Sequence, residues 1–331
     1  MRPAPLAAIA AAVAACALGP GFPNLAAAAP RGPAEQRHEV DVDFQLTLLT
    51  GKDSATLLET RYVYSPQPLL RRDIVMPTLR RFVHRPDEYW LRAAHTGSTI
   101  DTRTGAGAGA RVHALDRRIA FSAEVFAEFD DVRHDIYEDG YVALPVRFET
   151  ALRVLPLLDV AVGYRARPVL ASTALLDDAR PDAERSGLEQ EAHLSATFAT
   201  NRDDFLGTVA VYARDADWTF TGFHSGELAV RGAGARLDLS LQISPQTSLF
   251  LRADGRIESW NNTRLGEAPD FVQDLTPTVH GLEADLGFLY WHKGELGIRV
   301  HLGGGYRGEE PVHNSRDRGL GRVGLGIVRR F

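Results

Sequence analysis

From His38 onward the chain repeats one pattern, segments of about ten residues in which apolar and polar side chains alternate. The clearest runs from His38 to Leu48: Val40, Val42, Phe44, Leu46 and Leu48 fall on one side, and Glu39, Asp41, Asp43, Gln45 and Thr47 on the other. Successive side chains of a strand point to opposite faces, so period two specifies strands with one apolar face each. The pattern returns at Ile119–Phe129, Val160–Ala166, Ala192–Phe198, Leu237–Ile243, Leu249–Ile257, Leu282–Tyr290, Leu296–Tyr306 and Val323–Ile327. Past the N-terminus no apolar stretch reaches the roughly 18 residues of a membrane helix.

A soluble β-sandwich produces the same alternation, so the period alone leaves two architectures open. Three features favour a membrane barrel. Outward faces carry aromatic residues at their ends (Tyr62, Tyr64, Tyr164, Tyr290, Tyr306), as interfacial girdles do. The segments run about 10–15 residues, where sandwich strands average five or six. The connections also alternate in length. Long polar stretches (168–187, 216–226, 261–275, 307–317) take turns with tight ones near Val154-Leu155-Pro156, Asn201–Asp204, Ser244–Thr247 and Trp291–Gly294. Short turns on one side and longer loops on the other characterise barrels that cross a membrane.

The N-terminus reads as an export signal. Met1–Pro5 holds one positive charge, Leu6–Leu18 is apolar, and small residues lead to Ala26–Ala29, with the best cut after Ala28. A spanning helix needs about 20 apolar residues, and Gly19-Pro20-Gly21 interrupts this run too early. Val13–Cys16 loosely resembles a lipoprotein box, which leaves lipidation of Cys16 as an alternative to a mature chain without cysteine. The expected division is a signal over 1–28, a short leader over 29–37 and a barrel over 38–331.

Composition narrows the function classes. A net charge of −6 gives no support to nucleic-acid binding. One cysteine excludes a disulfide framework, and the eleven histidines show no paired ligand spacing, so neither a metal site nor another cofactor is expected. Gly105–Ala110 lacks the Lys-Ser/Thr and the strand–loop–helix setting of a phosphate loop; small residues facing a bulky neighbour explain it better.

The C-terminal segment Val323–Phe331, amphipathic and ending on an aromatic residue, resembles the assembly signal of Gram-negative outer-membrane β-barrel proteins. The patterning of nearly the whole mature chain is similar to that superfamily, although Arg329 stands where an apolar residue is expected. The resemblance implies an all-β, antiparallel up-and-down barrel in an outer membrane. It implies as partners the membrane lipids, periplasmic chaperones and the assembly machinery that reads Phe331, with the chain acting as a monomer. Twelve strands fit between Tyr89 and Phe331, and the hairpin 38–64 adds two, giving fourteen. Twelve strands plus a separate N-terminal hairpin is the alternative. Closure would bring Glu39 and Asp41 of the first strand near Arg330 of the last. Residues 65–87 are too long for a simple turn and are expected to cap or enter the lumen.

The inward faces are densely charged. Candidates for a constriction or a salt-bridge network are Arg252, Asp254, Arg256, Glu258, Glu283, Asp285, Arg299 and Arg322. Further inward charges are Glu124, Glu128, Arg147, Glu149, Asp159, Arg165, Glu189, Glu191, His193, Arg214, Arg236 and Asp238. The expectation is that they line a wet channel and that the chain is a passive pore for small polar solutes or ions, with a slight acidic excess favouring cations. If they pair throughout, it is a filled barrel with a structural or surface-interaction role. An outer-membrane lipid hydrolase is the weaker alternative, resting on His313-Asn314-Ser315 and on the outward His280. The expectation is a protein that is not an enzyme.

Overall fold

The computed structural model describes residues 38–49, 54–66, 87–98, 101–134, 137–172, 185–200, 204–220, 226–264, 278–293, 295–310 and 318–331. The signal 1–28 with Cys16, the leader 29–37 and most of 65–87 lie outside the described residues.

The described strands run β1 (His38–Leu49), β2 (Ser54–Tyr64), β3 (Glu88–Ser98), β4 (Asp101–Ala114), β5 (Ile119–His134), β6 (Tyr137–Ala143), β7 (Val146–Leu155), β8 (Leu158–Ser172), β9 (Arg185–Ala199), β10 (Phe205–Phe220), β11 (Gly226–Ser244), β12 (Thr247–Arg264), β13 (Thr278–His292), β14 (Leu296–Glu310) and β15 (Arg318–Arg330). All belong to one antiparallel sheet, and β1 pairs with both β2 and β15, so the sheet closes on itself.

β6 and β7 are two halves of one stave. Both pair with β5 on one side and β8 on the other. The chain crosses between them at Leu144-Pro145, where proline has no amide to give the ladder. The Phe126 amide still donates to the Pro145 carbonyl at 2.8 Å, and the Leu144 amide to the Pro168 carbonyl at 3.0 Å. Counted as staves, the described strands number fourteen, as the sequence pattern requires. The hairpin β1–β2 is part of the wall, since β2 pairs with β3 from Ala55↔Ser98 to Tyr64↔Tyr89; the twelve-strand alternative is thereby excluded.

The seam is pinned at its end. Amide and carbonyl of His38 and Phe331 exchange two hydrogen bonds of 3.1 Å, and the two rings stack with centroids 5.6 Å apart. Tyr62, Tyr64 and Tyr89 extend this aromatic cluster around the short-turn end. Outward positions elsewhere are large and apolar. Leu91, Val125, Val162, Leu194, Val211, Ile257, Leu286, Leu302 and Leu325 are all exposed on the isolated chain. Such a belt is satisfied by lipid, and a closed barrel leaves no backbone edge unpaired within it. The architecture is that of a transmembrane β-barrel.

The strands reach further than the alternation indicates. β10 continues to Phe220, β11 begins at Gly226 and spans 19 residues, and β12 continues to Arg264. A stretch counted as loop, 216–226, is therefore mostly strand. About nine to eleven tilted residues cross a bilayer, so β11 and β12 project well beyond it on the long-loop side. Out there both faces are wet, which erases the alternation without breaking the ladder. The exposed pair Arg231–Asp215 (3.2 Å) belongs to this extension.

Candidate functional site

Inward positions divide into two zones along the barrel. The zone next to the short turns is packed. Leu289, Trp291 and Val328 form a buried apolar cluster, and Ala120, Ala151 and Ala161 a second on the opposite side of the wall. Buried ion pairs complete it. Arg330 reaches Glu39 at 3.5 Å and lies over the Trp291 ring, 5.1 Å from its centroid. Arg111 donates to Glu88 at 3.0 Å, their side chains 3% and 0% exposed. The Arg299 guanidinium meets Asp41 at 3.1 Å and Asp43 at 3.2 Å. Glu39 thus stands opposite Arg330 as the sequence indicates, while Asp41 is claimed by Arg299. To reach β1, Arg299 crosses β15 over Gly326, where an added Cβ would sit 2.8 Å from the guanidinium.

Above this floor lies a cavity of about 750 Å³. Its wall carries ten arginines and nine carboxylates among the described residues. The slight acidic excess expected from the inward faces does not reach it, because Glu39, Asp41, Asp43, Glu88, Glu149, Asp159 and Asp238 lie off that wall; all but Asp43 are buried.

Seven of the eight candidates line this cavity, and each pairs inside the barrel. Arg252 donates to Asp238 (3.2 Å), Arg236 to Asp254 (2.9 Å) and Arg214 to Glu258 (3.2 Å). Arg256 approaches Glu283 at 3.8 Å, and Arg322 bridges Glu283 (2.8 Å) and Asp285 (2.7 Å). The eighth, Arg299, is buried in the floor.

A further centre escaped the sequence reading. Arg167 donates to Glu128, to Glu189 at 3.2 Å and to the Tyr141 hydroxyl at 3.0 Å, and it lies over the rings of Tyr141 and Trp218. Tyr141 in turn donates to Asp130, which also receives Arg103 at 2.8 Å. The phase that places Arg165 inward places Arg167 there too, which was the available signal. Inward aromatics such as Tyr141 and Trp218 mimic girdle residues and hide the parity. Arg92, held between Glu59 (3.1 Å) and Glu124 (3.0 Å), was missed for want of a clear alternation in β3.

The Gly105–Gly109 run has its explanation in the wall. A Cβ on Gly105 or Gly107 would collide with Phe126, and one on Gly109 with the Trp90 ring at 2.3 Å. His313-Asn314-Ser315 lies outside the described residues, and His280 faces outward near the start of β13.

No protein-family model and no curated protein matches the chain. Solved structures similar to it include the outer-membrane protein OmpT of Vibrio cholerae (10% identity, 92% of this chain and 99% of that one, TM-score 0.42). Others are Omp33 of Acinetobacter baumannii (12%, 89% and 99%, 0.42) and the translocator domain of the autotransporter NalP from Neisseria meningitidis (12%, 98% and 96%, 0.39).

Proposed function

We propose that the chain is an exported, monomeric outer-membrane barrel whose lumen is closed to passive flow in its resting form. On this reading it serves as a structural or surface-interaction protein and has no catalytic role. One observation carries it: the inward positions nearest the short turns are buried and joined by ion pairs on β1, β3, β4, β14 and β15. An open channel keeps such positions wet and its opposite charges apart across a gap. The short turns face the periplasm in this orientation, and the β11–β12 extension faces outward. Phe331, clasped to His38, is the residue offered to the assembly machinery.

The second reading is a passive pore for small polar solutes or ions. The cavity of about 750 Å³, lined by charges of both signs, favours it. Planar-bilayer conductance of the mature chain refolded in detergent separates the two. The expected result is a heat-modifiable barrel that adds no current steps; discrete, reproducible steps overturn the closed reading in favour of the pore.

A further inference from the structure

We infer that the cavity holds a binding site for a small oxyanion, of the carboxylate or phosphate class, between Arg147 and Arg165. These residues stand directly opposite each other on β7 and β8. Like charges facing across a ladder destabilise a sheet. Another directly opposed arginine pair, Arg61 and Arg92, is absorbed, Arg92 by Glu59 and Glu124 and Arg61 by stacking on Trp90 at 4.7 Å.

Arg147 and Arg165 are not absorbed in that way. The Arg147 side chain is 54% exposed, and its contact is a 3.5 Å approach to Glu149, an oxygen that also meets His193 at 3.1 Å. Among the described residues Arg165 makes no ion pair or hydrogen bond through its side chain, although it is exposed into the cavity. The nearby carboxylates serve other donors: Glu124 serves Arg92 and Trp90, Glu128 serves Arg167, and Glu189 serves Arg167 and Arg214. Glu191, opposite Arg165 on β9, remains, and one carboxylate neutralises one of two guanidiniums.

Two planar guanidiniums, one with no side-chain hydrogen bond among the described residues and one held by a single 3.5 Å contact, match the geometry of a carboxylate or a phosphate. The cavity volume lies within the roughly 300–1,000 Å³ of small-molecule sites. The inference is independent of conduction, because a closed barrel and a pore both leave this wall of the cavity wet.

The test is calorimetric titration of pyrophosphate, and separately of malonate, into the full mature chain refolded in detergent at low salt. Wild type is expected to bind at least one of them at a single site. Arg165→Gln and Arg147→Gln should each weaken binding about tenfold or more, the effect of one lost charge-assisted hydrogen bond. Glu191→Gln should tighten it by removing the competing carboxylate. Arg231→Gln, the same charge change on the outer extension, should leave it unaltered. No binding of either probe up to about 10 mM, or an equal loss in Arg231→Gln, overturns the site. Should a glutamine variant fail to refold, Arg165→Lys keeps the charge and removes the fork. Weakened binding there supports the site, and wild-type binding overturns it.

Discussion

The sharpest consequence of the floor concerns Arg299. It lies on β14 and is paired with Asp41 and Asp43 on β1, so one side chain bridges the closing seam across β15. Its side chain is 5% exposed and that of Asp41 is 7% exposed. Arg299→Met removes the cation and leaves two carboxylates facing the same small space, one of them almost fully buried. Breaking a buried pair by deleting one partner costs about 3–5 kcal/mol, since the remaining charge loses its compensation. With a urea dependence of about 2–3 kcal/mol per molar, the unfolding midpoint falls by about 1–2.5 M. Replacing all three charges, Arg299→Met with Asp41→Asn and Asp43→Asn, removes the two carboxylates that Arg299 had held and should return the midpoint to within about 0.5 M of wild type. The assay is urea unfolding of the barrel refolded in detergent, followed by tryptophan fluorescence. A shift below about 0.3 M in the single variant, or a triple variant no better than the single one, refutes the reasoning. If Arg299→Met does not refold and the triple variant does, the same conclusion is reached through folding yield.

Three other outcomes test the wall. Leu286 is 60% exposed on the lipid face near the middle of the bilayer span, so Leu286→Arg should cost about 2–4 kcal/mol, read as the denaturation midpoint in lipid vesicles. Gly109→Leu drives a side chain into the Trp90 ring and should destabilise the barrel by about 1–3 kcal/mol in the same assay. Arg231→Gln removes an ion pair whose arginine is 77% exposed, and its effect should stay below about 1 kcal/mol.

The wall was legible because lipid enforces a rule on every second residue. Val40 to Leu48, Leu282 to Tyr290 and Val323 to Ile327 alternate strictly because one face meets an apolar medium and the other does not. Register followed from the same rule, since a slip by one residue would turn Glu39 and Asp41 into the membrane. Beyond the bilayer that constraint lapses, and the ends of β10, β11 and β12 read as loop although their ladders continue. The interior was legible as a set of charges and not as a set of pairs. Arg252 finds Asp238 on the neighbouring strand, which simple register suggests. Arg299 finds Asp41 two strands away because Gly326 clears the path, a geometry fixed by barrel curvature and by the absence of one side chain. Arg167 was missed because its partners, Glu128, Asp130 and Tyr141, lie on β5 and on the half-stave β6 that stands between β5 and β8, a break in the strand order that the alternation does not reveal.

The two zones of the lumen should also respond differently to salt, which gives a test of where any barrier lies. Cavity pairs such as Arg236–Asp254 and Arg252–Asp238 have guanidiniums about a third exposed, and about 1 M salt, with a screening length near 3 Å, loosens them. The floor pairs Arg111–Glu88 and Arg330–Glu39 are buried to within a few per cent and remain largely unscreened. Wild type should therefore stay silent in planar bilayers in about 1 M KCl as well as in dilute salt. Trimming the floor has the opposite effect. Trp291→Ala with Arg330→Ala removes the ring that packs on Leu289 and Val328 and the cation lying over it. Discrete current steps should then appear in a barrel that remains heat-modifiable. A folded double variant that is still silent would mean that the floor is not the barrier and that the lumen is blocked higher up. A wild type that conducts once the salt is raised would mean that the partly exposed cavity pairs were the gate, and that the buried pairs beneath them never sealed the lumen.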